Sequence, residues 1–130
     1  MGVWCSMQNI LFICSANKDR SKTAEDYFSE IYPELNFDSA GTNQRICFQL
    51  GTNFIDLAQL DWADSIFVME KKHADFVNQF SDREFRNKIN ILRIKDIYKY
   101  NQKELIEVLE EKFHFWFVIN LSSFIPFKIS

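Results

Sequence analysis

Residues 9–25 decide the fold, and they read NILFICSANKDRSKTAE. The run from Ile10 to Ile13 is short, apolar and continuous, which is typical of a parallel strand buried on both faces. Cys14 ends that run, Arg20 comes six positions later, and a helical pattern of apolar residues follows. A loop that leads from a strand into a helix N-terminus presents backbone N–H groups to one anion. The stretch therefore predicts a phosphate loop, which we define as residues 15–20.

Cys14 and Arg20 are the two side chains that would supply chemistry in such a loop. The positive end of a helix favours a thiolate, so we expect Cys14 to be ionised near neutral pH and able to attack phosphorus. The Arg20 guanidinium can hold two phosphoryl oxygens in a planar fork, which an ammonium cannot do. A buried strand cysteine is common and this spacing also arises by chance, so the functional interpretation depends on the strand before and the helix after.

Four motifs in order resemble those of the low-molecular-weight protein tyrosine phosphatases, especially a short bacterial branch of that family. Besides the phosphate loop they are residues 38–42 (DSAGT), 62–70 (WADSIFVME) and 94–98 (IKDIY). The resemblance covers most of residues 8–112. It implies an α/β fold with three layers, αβα, in which a parallel sheet of about four strands carries the phosphate loop after strand 1.

The resemblance also implies a reaction and a role for each residue. Cys14 would form a phosphocysteine, Asp96 would protonate the leaving oxygen, and Tyr98 would stack on the phenyl ring of a phosphotyrosine protein or small aryl phosphate. Neither a cofactor nor a metal is implied. The predicted set is Cys14, Arg20 and Asp96 for catalysis, Ser15, Ala16, Asn17, Lys18, Asp19 and Tyr98 for substrate binding, and Ser21 and Ser39 as supports.

The chain departs from the family pattern at several positions. Lys22 stands where proline is usual, Asp19 stands where many members have a second cysteine, and the Asp96 segment lacks its usual proline. We expect Lys18 and Asp19 to point outward, because the loop would bind through its amides. These departures keep open a catalytically weakened module that binds phosphate or phosphopeptides. Arsenate reduction is a weaker alternative, because it needs paired cysteines that Cys5 and Cys47 do not supply by spacing.

Composition limits the other possibilities. With 130 residues, 47% hydrophobic and 25% charged, the chain suits one domain over residues 1–130. A net charge of −3 and a pI of about 5.4 disfavour a nucleic-acid partner. Three cysteines without metal-like or disulfide-like spacing favour a reducing compartment, and hence a cytoplasmic location.

Both ends of the chain extend beyond the resemblance. Residues 1–7 are interpreted as an N-terminal extension, although Gly2 and Cys5 also fit a possible lipid anchor. Residues 113–130 form an aromatic C-terminal tail whose apolar run is too short for a transmembrane segment. We expect this tail to pack over the domain as a helix or an extended segment, with a partner surface or a membrane-surface contact as the alternatives.

Apolar periodicity gives the remaining elements. We expect further strands at 35–40, 65–69 and 89–94, and helices at 23–31, 53–60, 71–80 and 103–117. Strands that alternate with helices predict a parallel sheet, and Cys14, Ser39 and Asp96 should meet at its carboxyl edge. His73 follows Lys71 and Lys72 and is predicted to lie on the surface, whereas Cys47 is predicted to be packed.

Overall fold

A computed structural model describes residues 8–124, of which residues 117–124 are described as backbone only. This part of the chain contains four strands and five α-helices. They are β1 (Asn9–Cys14), α1 (Arg20–Ile31), β2 (Asn36–Gly41), α2 (Gln44–Leu50), α3 (Leu57–Trp62), β3 (Ser65–Val68), α4 (Lys71–Phe80), β4 (Ile89–Ile91) and α5 (Lys103–Phe124), with a 3-10 turn at Arg86–Lys88. Every strand pair is parallel and the order is β2-β1-β3-β4. The predicted α/β class is therefore confirmed.

The central strand β1 separates two apolar cores. Ile10 and Phe12 face a core shared with α1 and α5, whereas Leu11 and Ile13 face a core shared with α3 and α4. The first core is mainly aromatic, and the Phe12 ring centroid lies 5.6 to 6.0 Å from those of four other phenylalanines: Phe28, Phe37, Phe67 and Phe113. Burial on both faces explains why β1 is an uninterrupted apolar run. It also fixes the end of β1, where Cys14 lies.

The segment between β2 and β3 differs from the prediction. A helix was expected at 53–60, but α3 starts at Leu57, where the Asp56 side chain accepts a hydrogen bond from the N–H of Gln59 at 2.7 Å. Helix α2 was missed. It buries only Cys47 and leaves its apolar residues Phe48 and Leu50 exposed, so it carries no inward-facing apolar stripe.

Most other elements were predicted to within three residues. Helix α1 starts at Arg20 rather than at 23, β2 starts at 36 rather than at 35, β3 ends at 68 rather than at 69, and α4 has the predicted ends. Strand β4 ends at Ile91 rather than at 94, because Arg93 takes a positive φ of 60° and turns the chain. Helix α5 continues past the predicted end at 117.

The predictions for the two ends of the chain fall partly outside the described residues. Gly2, Cys5 and the rest of residues 1–7 lie outside them, as do residues 125–130. Within the predicted tail, Phe113 is fully buried and Trp116 packs against Phe67, with ring centroids 4.7 Å apart. None of the described helices combines the length and the apolar character that crossing a bilayer requires.

Candidate active site

Cys14 lies at the carboxyl end of β1 and is 3% exposed. Its sulfur is 3.0 Å from the hydroxyl oxygen of Ser21, in the first turn of α1. That oxygen accepts a hydrogen bond from the Asn17 side-chain amide at 3.0 Å, so the one proton of the Ser21 hydroxyl can go either to the sulfur or to the carbonyl of Ala40, which lies 3.4 Å away. The arrangement therefore places a hydroxyl group directly against the Cys14 sulfur.

Asn17 holds the middle of the phosphate loop. It is 3% exposed and has a positive φ of 54°, a conformation that costs a non-glycine residue energy. The side-chain NH₂ group of Asn17 donates to the Ser39 hydroxyl at 2.8 Å, and its side-chain oxygen Oδ1 accepts from the backbone N–H of Asn53 at 3.1 Å. These contacts, together with the one to Ser21, offset the cost of the unusual backbone conformation.

The outer side of the phosphate loop is held by the chain around α2. The backbone N–H of Asn43 donates to the carbonyl of Ser15 at 3.0 Å, and the Thr52 hydroxyl donates to the carbonyl of Ala16 at 2.7 Å. Since C=O and N–H point in opposite directions across a trans peptide, outward carbonyls leave the following amides aimed inward. Amides aimed inward would bind an anion, as expected for a phosphate loop.

Gly41 makes this close approach possible. It pairs with Cys14 in the sheet, and a Cβ atom at this position would lie 2.5 Å from the carbonyl oxygen of Ser15 and 2.6 Å from the sulfur of Cys47. Any side chain at Gly41 would therefore push the loop away. Cys47 is fully buried behind the loop, in agreement with the predicted packing role.

Arg20, which is only 1% exposed, closes the loop with its guanidinium. One of its terminal nitrogens donates to a carboxylate oxygen of Glu70 and to the carbonyl of Ile94, the latter at 2.7 Å. Its Nε lies 3.7 Å from a carboxylate oxygen of Asp96. A buried cation with fixed partners on one side can present its remaining N–H groups to an anion.

Asp96 belongs to the acid loop, which we define as residues 93–102. Its side chain is 63% exposed, so it reaches Arg20 from the solvent side of the site. The loop is attached at its ends, where the N–H of Ile94 donates to the carbonyl of Met69 at 2.8 Å and the N–H of Asn101 donates to the Thr23 hydroxyl at 2.8 Å. The acid loop therefore brings a carboxylate close to Arg20 at the end of the phosphate loop.

The prediction for His73 was wrong, because this residue is 1% exposed and contacts the site. Its Nε2 is 2.9 Å from the Ser15 hydroxyl, and its Nδ1 accepts a hydrogen bond from the backbone N–H of Glu70 at 3.1 Å. Burial and the nearby Arg20 charge lower the pKa of His73 to about 4, so the ring is neutral at pH 7. The sequence interpretation was misled by the two lysines before His73. Lys71 and Lys72 are exposed, as expected, but the next residue on the helix, His73, faces inward.

Glu70 was also missed by sequence reasoning. Burial alone would raise the pKa of its carboxyl, but the hydrogen bond and charge of Arg20 lower it below its usual value. Glu70 comes two residues after the end of β3, at the same edge of the sheet as Cys14, and that position is the signal that could have identified it.

The remaining predicted residues differ in their exposure. Lys18 is exposed and Asp19 is half-buried. Tyr98 is half-buried and packs against the aromatic core, whereas the neighbouring Ile97 is 69% exposed. Among the described residues, no group of three or more His, Cys, Asp or Glu side chains is placed to hold a metal ion.

Comparison with known proteins finds similarity in the fold but not in the sequence. No family model and no curated protein sequence matches the chain. Solved structures do match, and the tyrosine phosphatase AmsI of Erwinia amylovora is 24% identical with a TM-score of 0.71, covering 88% of this chain and 93% of its own. The chain has the fold of the low molecular weight protein tyrosine phosphatases.

Two further structures agree with this assignment of the fold. The tyrosine phosphatase Wzb of Escherichia coli K30, in complex with phosphate, is 20% identical with a TM-score of 0.68 and covers 85% of this chain and 96% of its own. A mutant of the arginine phosphatase YwlE, with a phosphorylated active site serine, is 21% identical with a TM-score of 0.61 and covers 78% of this chain and 91% of its own. At these identities the likeness concerns the fold.

Proposed function

We propose that the protein is a phosphomonoesterase that hydrolyses phosphotyrosine or another aryl phosphate through a phosphocysteine, without a metal ion. One observation carries the proposal: the sulfur of Cys14, with the Ser21 hydroxyl oxygen 3.0 Å away, lies directly before the loop that the buried Arg20 closes. This combination gives a nucleophile, inward amides and a planar cation in one place. The fold shared with known tyrosine phosphatases supports it.

In the first step the Cys14 thiolate forms a bond to phosphorus while the bond from phosphorus to the ester oxygen breaks. The departing oxygen takes a proton from the carboxyl group of Asp96, which becomes a carboxylate. The loop amides and Arg20 compensate the charge on the three phosphoryl oxygens that do not react. The 3.7 Å separation of Asp96 from Arg20 is short enough for both groups to reach one bound phosphoryl ester.

In the second step a water molecule gives a proton to the Asp96 carboxylate and attacks phosphorus. The bond from sulfur to phosphorus breaks, which releases inorganic phosphate and restores the thiolate. The YwlE mutant, which has a similar fold, carries a phosphorylated serine at its active site. That precedent supports a covalent intermediate on this scaffold, and here the atom that would carry it is the sulfur of Cys14.

The experiment is hydrolysis of para-nitrophenyl phosphate in the presence of EDTA. We expect turnover by the wild-type protein, no measurable turnover by Cys14→Ser, and a loss of about a thousandfold in Arg20→Lys, because an ammonium cannot replace the fork. Cys47→Ser is the control, since this sulfur lies behind the loop, where it contacts the carbonyl of Ser15 at 3.8 Å, and a hydroxyl that keeps this contact should keep most of the activity. Activity that survives in Cys14→Ser would rule out the phosphocysteine.

A binding module that has lost turnover is the alternative, favoured by the exposed Asp96 and by the missing proline in its loop. Binding of inorganic phosphate to the wild-type protein, with no hydrolysis of any aryl phosphate, would establish this alternative. Arsenate reduction would need further cysteines within reach of Cys14, and Cys47 is fully buried behind the loop.

A further inference from the structure

We propose that His73 is a positioning residue that holds the first peptides of the phosphate loop in place through the Ser15 hydroxyl. The inference rests on the proposed function, since the loop matters only if it binds a phosphoryl group. Ser15 directly follows the candidate nucleophile, so a change in its orientation moves the amides closest to the reacting sulfur.

The first step of the argument is the hydrogen bonding of the imidazole. Nδ1 of His73 accepts from the backbone N–H of Glu70 at 3.1 Å, so it cannot carry a proton. The proton of the neutral ring is therefore on Nε2, which lies 2.9 Å from the Ser15 hydroxyl oxygen and donates to it. The contact to Glu70 thus determines the tautomer, and the tautomer determines which partner donates at Ser15.

The second step is the reciprocal capping of α4. The Glu70 side chain accepts from the backbone N–H of His73, and the His73 side chain accepts from the backbone N–H of Glu70. A capping box needs only an acceptor at its third helical position, which Glu or Gln ordinarily supplies. Here the ring has a second nitrogen beyond the box, and that nitrogen meets Ser15. Capping alone does not explain that contact.

The third step is the position of the two contacts along the loop. His73 holds Ser15 at the start of the phosphate loop, and Glu70 holds Arg20 at its end. Both loop ends are therefore braced by the same turn at the start of α4. The carbonyl of Ser15 is fixed separately by the N–H of Asn43, so this residue is held on two sides.

The charges around the ring favour its neutral form. Burial is the largest effect and opposes protonation of the ring, and the charges of Arg20 in α1 and Lys72 in α4 oppose it too. The carboxylates of Glu70 and of Asp96 in the acid loop favour protonation, but more weakly. A protonated ring would place a second cation near the buried Arg20 and would lose the bond from the N–H of Glu70. The brace is therefore intact only while His73 is neutral.

The kinetic test is a double-mutant cycle with His73→Leu and Ser15→Ala, measured with para-nitrophenyl phosphate. We expect kcat to fall about tenfold in His73→Leu with KM changed less than about twofold, the scale of one lost hydrogen bond. In the Ser15→Ala background, His73→Leu should then cause a clearly smaller loss, because only its bond from the N–H of Glu70 remains to be lost. His73→Gln keeps an acceptor and an N–H donor, so its kcat should be close to that of the wild type. His114→Leu changes an exposed histidine and is the control, which should leave kcat unchanged. Additive losses would overturn the proposal.

A second measurement does not depend on turnover or on a stable His73→Leu protein. In ¹⁵N NMR spectra of the wild-type protein, His73 should be in the neutral Nε2–H form from about pH 6 to pH 8, and Ser15→Ala should shift its Nε2 resonance. The opposite tautomer, or a ring that titrates near the ordinary histidine value of about 6.5, would overturn the inference. Inorganic phosphate binding, measured on the wild-type and Ser15→Ala proteins, keeps the positioning role of His73 apart from the proposed function. If His73 has the expected tautomer and phosphate binds but no aryl phosphate is hydrolysed, only the proposed function is contradicted.

Discussion

The phosphate loop and the acid loop lie at the same edge of the sheet but are held very differently. In the phosphate loop Asn17 and Arg20 are 3% and 1% exposed, and their side chains have several hydrogen-bond partners each. In the acid loop the Asp96 side chain is 63% exposed and Ile97 is 69% exposed. A phosphoryl group has a constant shape, so its site can be rigid. Under the proposed function a leaving group has to enter and depart, so Asp96 as the acid would need freedom to move.

The largest expected effect concerns the acid loop, and it would sharpen the comparison. Asp96→Asn should lower kcat about 10² to 10³-fold for phenyl phosphate, whose leaving oxygen needs a proton, and much less for para-nitrophenyl phosphate. Steady-state kinetics on both substrates measure the difference. Asp75→Asn is a matched control, because that side chain is also 63% exposed and lies on α4. Equal losses on both substrates would exclude Asp96 as the acid.

A smaller effect contrasts the stability of the two loops. Asn17→Ala should lower the free energy of unfolding by about 3 kcal/mol, because buried hydroxyls lose a donor and alanine disfavours a positive φ. Ile97→Ala should change it by less than about 0.5 kcal/mol, since this side chain is mainly in solvent. Urea unfolding followed by circular dichroism gives both values. If both variants lose a similar free energy of unfolding, the two loops do not differ in how firmly they are held.

The smallest effect follows from the pKa of His73. Burial holds this pKa at about 4 in the folded protein, against 6.5 for an unperturbed histidine, so the unfolded chain binds more protons between these values. Stability should therefore rise with pH through this window, and the His73 contribution from about pH 5 to pH 7 is about 2 kcal/mol.

The same urea experiment at pH 5 and pH 7 measures this contribution as the difference between wild type and His73→Gln. His114→Gln supplies the reference for a histidine outside the site. If His73→Gln shows the full pH dependence of the wild type, the neutral buried ring is not its source.

The sequence predicted the parts of the fold that depend on local pattern. The apolar run before Cys14 and the helical spacing after Arg20 are properties of neighbouring residues, so they were visible without a structure. The same holds for α4, whose ends were predicted correctly. Helix α2 was not predicted, because its apolar residues Phe48 and Leu50 are exposed and do not form the usual inward-facing apolar stripe.

The sequence by itself determined a strand, a loop that carries Cys14 and Arg20, and a helix, because each depends on short-range periodicity and on loop chemistry. Only the tertiary structure decided which residues from other strands hold that loop. Glu70 and His73 are 50 and 58 positions away from their partners Arg20 and Ser15. They reach them because parallel pairing brings the ends of β1 and β3 together, and no local pattern carries that information.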